Sequence, residues 1–183
     1  MAYIRAASLC VAGLALAAVA IPVKAQPIEE IAIGKKIAPV LLTIPVGVLH
    51  ASVYYGSYIV NAVADCNGCH SNNEFAAGGN PFLGQTKQIN QQCYLNGGQH
   101  FGPFVSRNLT PNSNGNPAGL TYPQFVNVIR TGNDPKNPGT LLQVMPWPAF
   151  QNMTDIALKG IYDYLSSIPP LPSGGTSPAC NPT

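Results

Sequence analysis

Charge is scarce in this chain. Of its 183 residues nine are Lys or Arg and seven are Asp or Glu, so charged side chains make up 9%. A chain so poor in bases has no electrostatic footprint for nucleic acid, and little long-range steering toward a charged partner. Side chains that ligate metals are also few, with three histidines, three methionines and five cysteines. A zinc site normally needs a second Cys/His pair to complete four ligands. Here Cys93 stands alone, and neither His50 nor His100 forms a spaced pair with another ligand. There is no internal repeat, and the length suits one domain with a modest core.

What is present begins with a leader-like segment. Residues 1–25 read as a secretory signal, with Arg5 near the start, an apolar run from Leu9 to Val23 and a small-residue exit at Val23-Lys24-Ala25. A retained membrane anchor is the alternative. The run, however, is about fifteen residues long and ends in Ile21-Pro22, short of the roughly 20 needed to span a bilayer. Cys10 lies inside the run behind a bulky Leu9, which does not suit a lipoprotein signal. Cleavage after Ala25 removes Arg5 and Lys24 and leaves seven bases against seven acids, a formally neutral chain. The expected location is periplasmic or otherwise extracytoplasmic, where cysteines are cross-linked, metal-bound or covalently modified.

Residues 26–36 read as a short polar lead-in. Ile37 to Ala64 carries no formal charge, yet Pro39, Pro45 and Gly47 interrupt it and polar residues from His50 to Asn61 punctuate it. The pattern predicts an irregular apolar segment to about Leu49. A helix follows from about Val53 to Ala64, with Tyr54, Tyr58, Ile59 and Val63 as its stripe. From Ser71 to Thr121 the signals are almost all turns, such as Gly78-Gly79-Asn80-Pro81 and Asn114-Gly115-Asn116-Pro117. Leu120 to Arg130 is a predicted helix, capped by Thr121, with Pro123 in its first turn and Gly132 as its stop. Phe125, Val126, Val128 and Ile129 are its apolar positions. The last helix is expected from near Thr154 to Ser167, with Ile156, Ile161, Tyr164, Leu165 and Ile168 on its buried side. Pro169-Pro170 ends it, and a Pro/Ser/Gly strap follows.

The strongest chemical signal is Cys66-Asn67-Gly68-Cys69-His70. Two cysteines three apart can each form a thioether to one vinyl group on the same haem edge, and the histidine that follows reaches the iron as proximal ligand. A thioredoxin-like pair expects a strand-to-helix context, which the flanks do not supply. A disulfide across so short a step is strained. The reading is one covalent haem c.

With Ala62-Val63-Ala64-Asp65 before this motif, Arg107-Asn108-Leu109-Thr110-Pro111, Met145-Pro146-Trp147 and Ile161-Tyr162-Asp163-Tyr164-Leu165, the chain resembles class I c-type cytochromes. The likeness runs from about Tyr55 to Pro170, and is closest to the cytochrome c domains of bacterial dehydrogenase cytochrome subunits and their single-domain relatives. It implies an all-α fold, a class I cytochrome c fold of few helices and long loops wrapped around the haem. It also implies a His/Met-ligated iron, with His70 proximal and Met145 distal. Met145 as a mere core filler is the plainer alternative. Met153, beside a helix start, and His100, in the Gly97–Phe101 loop, are the other candidates for the sixth position. Arg107, Asn108 and Trp147 are candidates for the haem propionates, since buried carboxylates need donors or a cation, with loop packing as the alternative. Gly56 and Tyr162 would mark the crossing of the first and last helices.

The chain departs from compact class I domains in the 75 residues between His70 and Met145. The extra loop is placed in 85–119. It carries Cys93, and the tail carries Cys180; with the haem motif occupied, a disulfide between them is the expectation. The domain reading is a signal at 1–25, an N-terminal apolar extension at 26–52, a cytochrome c domain at 53–170 and a C-terminal strap at 171–183. The functional expectation is an electron carrier rather than an enzyme. Its partners are redox proteins, with no small-molecule substrate and with membrane association allowed but not required. A cytochrome subunit of a dehydrogenase or reductase complex is the second reading. An open-faced haem enzyme or sensor is the third, and it would lack the methionine ligand.

Overall fold

The computed structural model describes residues 28–180. The expected signal at 1–25 lies outside them. Helices predominate among the described residues: α1 (Ile28–Ile37), α2 (His50–Tyr58), α3 (Cys66–His70), α4 (Tyr122–Thr131), α5 (Trp147–Phe150) and α6 (Asp155–Ser167). The expectation of an all-α fold needs one correction. A small antiparallel hairpin, β1 (His100–Phe101) and β2 (Phe104–Val105), lies inside the long loop. Its turn passes through Gly102 at φ +61°, a conformation open to glycine without penalty. The mainly helical body, with few helices, long loops and this hairpin, is compatible with a cytochrome c fold.

From residue 28 onward the polar lead-in is helical, forming most of α1. Glu29 and Glu30 lie in its first turn and Lys35 and Lys36 in its last, the arrangement that complements the helix dipole. The helix packs on α2, where the Ser57 hydroxyl donates to the Gly34 carbonyl at 2.8 Å. The apolar stretch after it is irregular to Leu49, as expected. Helix α2 starts at His50, earlier than the pattern suggests, and widens over Ile59–Val63 into a π turn closed by Ala64 N donating to Ile59 O at 2.8 Å. Among the described residues no helix is long and apolar enough to cross a membrane.

The buried face of α2 is Ser52, Val53, Gly56 and Ser57, whereas Val63 is exposed. Of the stripe expected there Ile59 is buried and Tyr54 and Tyr58 are half-buried, and the tightest contact falls on Gly56 because α2 meets α6 backbone to backbone. A Cβ on Gly56 would lie 1.9 Å from the Gly160 carbonyl oxygen. The crossing partner is thus Gly160 and not Tyr162. Tyr162 instead packs edge-on against Tyr122 and Phe125 and donates to the Leu120 carbonyl at 3.1 Å. Small residues win at such a contact because the helix axes come closer than any side chain permits.

Helices α4 and α6 follow their sequence signals closely. In α4 the Gln124 side chain accepts from Thr121 N at 2.9 Å, and Gly132 closes the helix at φ +70°. Phe125, Val128 and Ile129 are buried. In α6 the Thr154 hydroxyl accepts from Ala157 N at 3.1 Å. Thr154→Ala is expected to cost about 1 kcal/mol, the usual worth of such a cap, read as a lowered urea midpoint. Ile156, expected on the buried side, is exposed, while Ala157 and Leu158 are buried with Ile161, Tyr164, Leu165 and Ile168. The core also takes Tyr94, Leu95 and Leu120 from the loops. The Tyr94 and Tyr164 hydroxyls meet at 2.8 Å, and Asn61 Oδ1 accepts from Tyr94 at 2.5 Å. Burial raises both phenolic pKa values, so both rings stay neutral.

Candidate functional site

The Cys66–His70 motif forms the short helix α3, entered through Asp65 at φ +45°. The loop behind it fixes α3 from several sides. Gly97 N donates to His70 O at 2.7 Å, and Leu95 N donates to the Ser71 hydroxyl at 2.8 Å. The Gln99 amide nitrogen, turned toward its acceptors, donates to Gly68 O at 2.9 Å and Ser71 O at 3.1 Å.

His70 Nδ1 lies 2.8 Å from the Arg107 carbonyl oxygen. A carbonyl only accepts, so Nδ1 carries the proton and Nε2 carries the lone pair. Burial lowers the imidazole pKa, with the Arg107 carbonyl opposing, and favours the neutral ring. A neutral, hydrogen-bonded imidazole with Nε2 available is what metal ligation by histidine requires.

Cys66 is half-buried and Cys69 exposed, and both are free thiols. Burial and then the Asp65 charge push Cys66 up to about 12, and the same two causes raise Cys69. A redox-active pair needs a depressed thiol pKa, so these electrostatics do not suit thioredoxin-like chemistry. Among the described residues no three His, Cys, Asp or Glu side chains are grouped to hold a metal ion directly.

Cys66, Cys69 and His70 line one edge of a cavity of about 370 Å³, inside the range of cofactor-sized sites. Its walls are overwhelmingly apolar, with Phe125, Val128, Ile129, Ile161 and Leu165 from α4 and α6 at the back. Phe104, Val105, Leu141 and Val144 line it while remaining exposed, and so form its mouth. Two thioethers, Met145 and Met153, also line it. His100 is exposed on β1 and does not line it, although Phe101 beside it does. His50 is exposed at the start of α2, with its ring edge-on to Tyr54.

The residues expected to bind propionates divide. Arg107 lines the cavity, where its guanidinium grips Asp134 through two bonds of 3.0 and 2.8 Å. Asn108 and Trp147 do not line it. The Asn108 amide donates to the Leu171 carbonyl at 2.8 Å, and the Trp147 indole N–H donates to the Leu142 carbonyl at 3.2 Å. Trp147 also lies flat on Gly132, where a Cβ would come within 2.3 Å of the ring. It pins the loop carrying Met145 to the end of α4.

Sequence reasoning missed Asp134 and Asn137, which line the cavity beside Arg107. The one signal for Asp134 is an acid standing in a Pro/Gly loop of a chain with seven acids. Arg107, ahead of all other causes, holds the Asp134 carboxyl far below the ordinary carboxylate range. A carboxylate whose pKa falls on folding stabilises the fold above its unfolded pKa, near 4, and loses that contribution as pH drops toward its folded value. Urea unfolding is therefore expected to show Asp134→Asn less stable than wild type at pH 7, with the gap narrowing below about pH 4.

These features fit a haem. Two cysteines three apart in sequence and the histidine after them line the same cavity as two thioethers, the walls are apolar, and the paired charges of Arg107 and Asp134 lie on its lining. Comparison with known proteins agrees in kind. A stretch of 114 residues, 62% of this chain, aligns at 31% identity with the gluconate 2-dehydrogenase cytochrome c subunit of Pantoea cypripedii. The chain spans 22% of that protein's length. No family model and no solved structure matches the chain.

Proposed function

We propose that this protein is an exported single-haem c-type cytochrome that passes electrons between redox proteins and transforms no substrate itself. The observation that carries the reading is His70, whose Nδ1–H donates to Arg107 O while the ring edges an apolar cavity beside Cys66 and Cys69. A haem c bound there would supply one-electron chemistry. Cys66 and Cys69 would hold it covalently, His70 Nε2 would ligate from one side, and Met145 is our choice for the other. Pro146 follows Met145 and Trp147 anchors its loop, whereas Met153 stands directly before the Thr154 cap of α6. The apolar walls exclude water, which limits reorganisation on electron transfer and tunes the potential. Arg107 and Asn137 both donate to Asp134, and their remaining N–H groups would supply donors for propionates, while Asn108 and Trp147 brace the neighbouring loops.

The assignment of Met145 is tested by absorption spectra of ferric Met145→Ala and Met153→Ala. Loss of the sulfur-to-iron charge-transfer band in the first and its retention in the second is expected. The reverse outcome moves the ligand to Met153. Retention in both removes methionine ligation.

The likeness to a dehydrogenase cytochrome subunit supports a second, narrower reading, in which the chain serves a larger dehydrogenase as its cytochrome subunit. Affinity purification from the native periplasm distinguishes the two. A stoichiometric dehydrogenase partner supports the subunit, and a cytochrome recovered alone supports the free carrier.

A further inference from the structure

We infer that the C-terminal strap, residues 171–180 closed by the Cys93–Cys180 disulfide, positions the His70 imidazole by clamping the carbonyl that accepts the hydrogen bond from its Nδ1–H. The inference rests on the haem reading for its electrochemical readout.

The strap is pinned at both ends. Leu171 O accepts from Asn108 Nδ2 at 2.8 Å, and Leu171 N donates to the Thr110 hydroxyl at 3.1 Å. At the other end Cys180 is bonded to Cys93, and its carbonyl accepts from Asn72 Nδ2 at 2.8 Å. Between these points the strap lies directly on the loop behind α3. Gly174 N donates to Asn96 O at 2.8 Å, and a Cβ on Gly174 would fall 2.1 Å from Gly97 O.

The next layer has equally little space. A Cβ on Gly97 would lie 2.5 Å from the Arg107 carbonyl carbon, and Gly98 N donates to Ser106 O at 2.9 Å. The last layer is the ligand itself. Arg107 O accepts from His70 Nδ1–H, and Gly97 N donates to the His70 backbone carbonyl. Strap, glycine loop, residues 106–108 and imidazole are therefore stacked mainly backbone on backbone, with the buried Asn96 side chain, 2.6 Å from a Cβ on Gly174, packed beside the first contact. Rigid backbone contact transmits displacement, whereas a flexible side chain absorbs it.

The consequence is chemical. The Nδ1 hydrogen bond makes Nε2 a stronger donor and fixes the ring's orientation, and loss of such a partner typically changes metal affinity or activity 10–100-fold. A stronger donor favours the ferric state, so a slackened clamp raises the reduction potential. Both disulfide sulfurs belong to residues with no exposed surface. The cross-link is therefore a permanent fixture rather than a switch open to small reductants.

Two adjacent glycines provide the test, because a Cβ on Gly175 meets nothing closer than Gly98 Cα at 3.8 Å. In the haem-loaded protein, Gly174→Ala is expected to shift the reduced-to-oxidised ratio at fixed applied potential by about tenfold, 59 mV for one electron. It should also speed solvent exchange of the His70 Nδ1 proton, followed by nitrogen-15 NMR. Gly175→Ala should change neither. An unchanged potential and exchange rate in Gly174→Ala would overturn the inference and leave the strap a staple. If Gly174→Ala does not fold, Cys93→Ala/Cys180→Ala is read in the same way. A wild-type chain without a haem spectrum fails the haem reading instead, and the exchange rate of Nδ1 in the haem-free chain then tests the clamp alone.

Discussion

Cys93→Ala/Cys180→Ala is expected to cost about 4 kcal/mol of stability, read from the guanidinium midpoint. The two cysteines are 87 residues apart. Cross-linking them removes much of the unfolded chain's freedom, and the entropic gain grows with the logarithm of the loop. A covalent haem at Cys66 and Cys69 would not weaken this effect, since both lie outside the closed loop. The enclosed segment holds the hairpin, α4 and α6, so most of the folded body is constrained before it folds. A loss below about 1 kcal/mol would mean that the unfolded chain keeps these segments together by other means. Alkylation of the denatured, unreduced protein supplies the covalent check, with neither Cys93 nor Cys180 expected to react.

The second large effect is expected at the crossing of α2 and α6. Gly56→Ala sets a methyl group 1.9 Å from the Gly160 carbonyl oxygen, a distance no pair of such atoms tolerates. The helices must separate, which opens the packing around Val53, Val60, Leu158 and Ile161. Overpacking of this kind costs about 3 kcal/mol or more when backbone has to move. The reciprocal change is milder, since a Cβ on Gly160 would be 3.1 Å from Ser52 O. Thermal melts of the two variants should show Gly56→Ala losing at least twice as much as Gly160→Ala. Helix propensity favours alanine by about 1 kcal/mol at either glycine and so offsets both losses alike; equal losses would overturn the assignment of the cost to the Gly56 contact.

Asp163 illustrates why such contacts escape a reading of the chain. It is buried in α6, accepts from the Ser52 hydroxyl at 2.7 Å and pairs with Lys159. The i, i+4 spacing to Lys159 is visible in the sequence, but the partner 111 residues away is not. Tyr162 misled in the same way. Its helix was correctly located, yet whether an aromatic ring or a glycine meets Gly56 depends on the rotation of α6 about its axis. Periodicity leaves that rotation loose when the apolar stripe is broad, as in α6, where Ile156 turned outward and Ala157 inward.

The sequence by itself determined what rests on neighbours along the chain. The Cys66–His70 spacing, the Thr121 cap, the helix start near Thr154 and the Gly132 stop are all decided within a few bonds, because short-range geometry leaves few alternatives. The disulfide was also legible, since of five cysteines only Cys93 and Cys180 remained once the motif and the expected signal, which holds Cys10, were set aside. Only the tertiary structure decided which carbonyl accepts from His70 Nδ1–H, which acid grips Arg107, and which cavity Met145 shares with Met153. It also turned Asn108 and Trp147 from the cavity to the loops beside it. Those outcomes depend on where long, turn-rich segments return, and a loop's path is set by the surfaces it finally packs against rather than by its own residues.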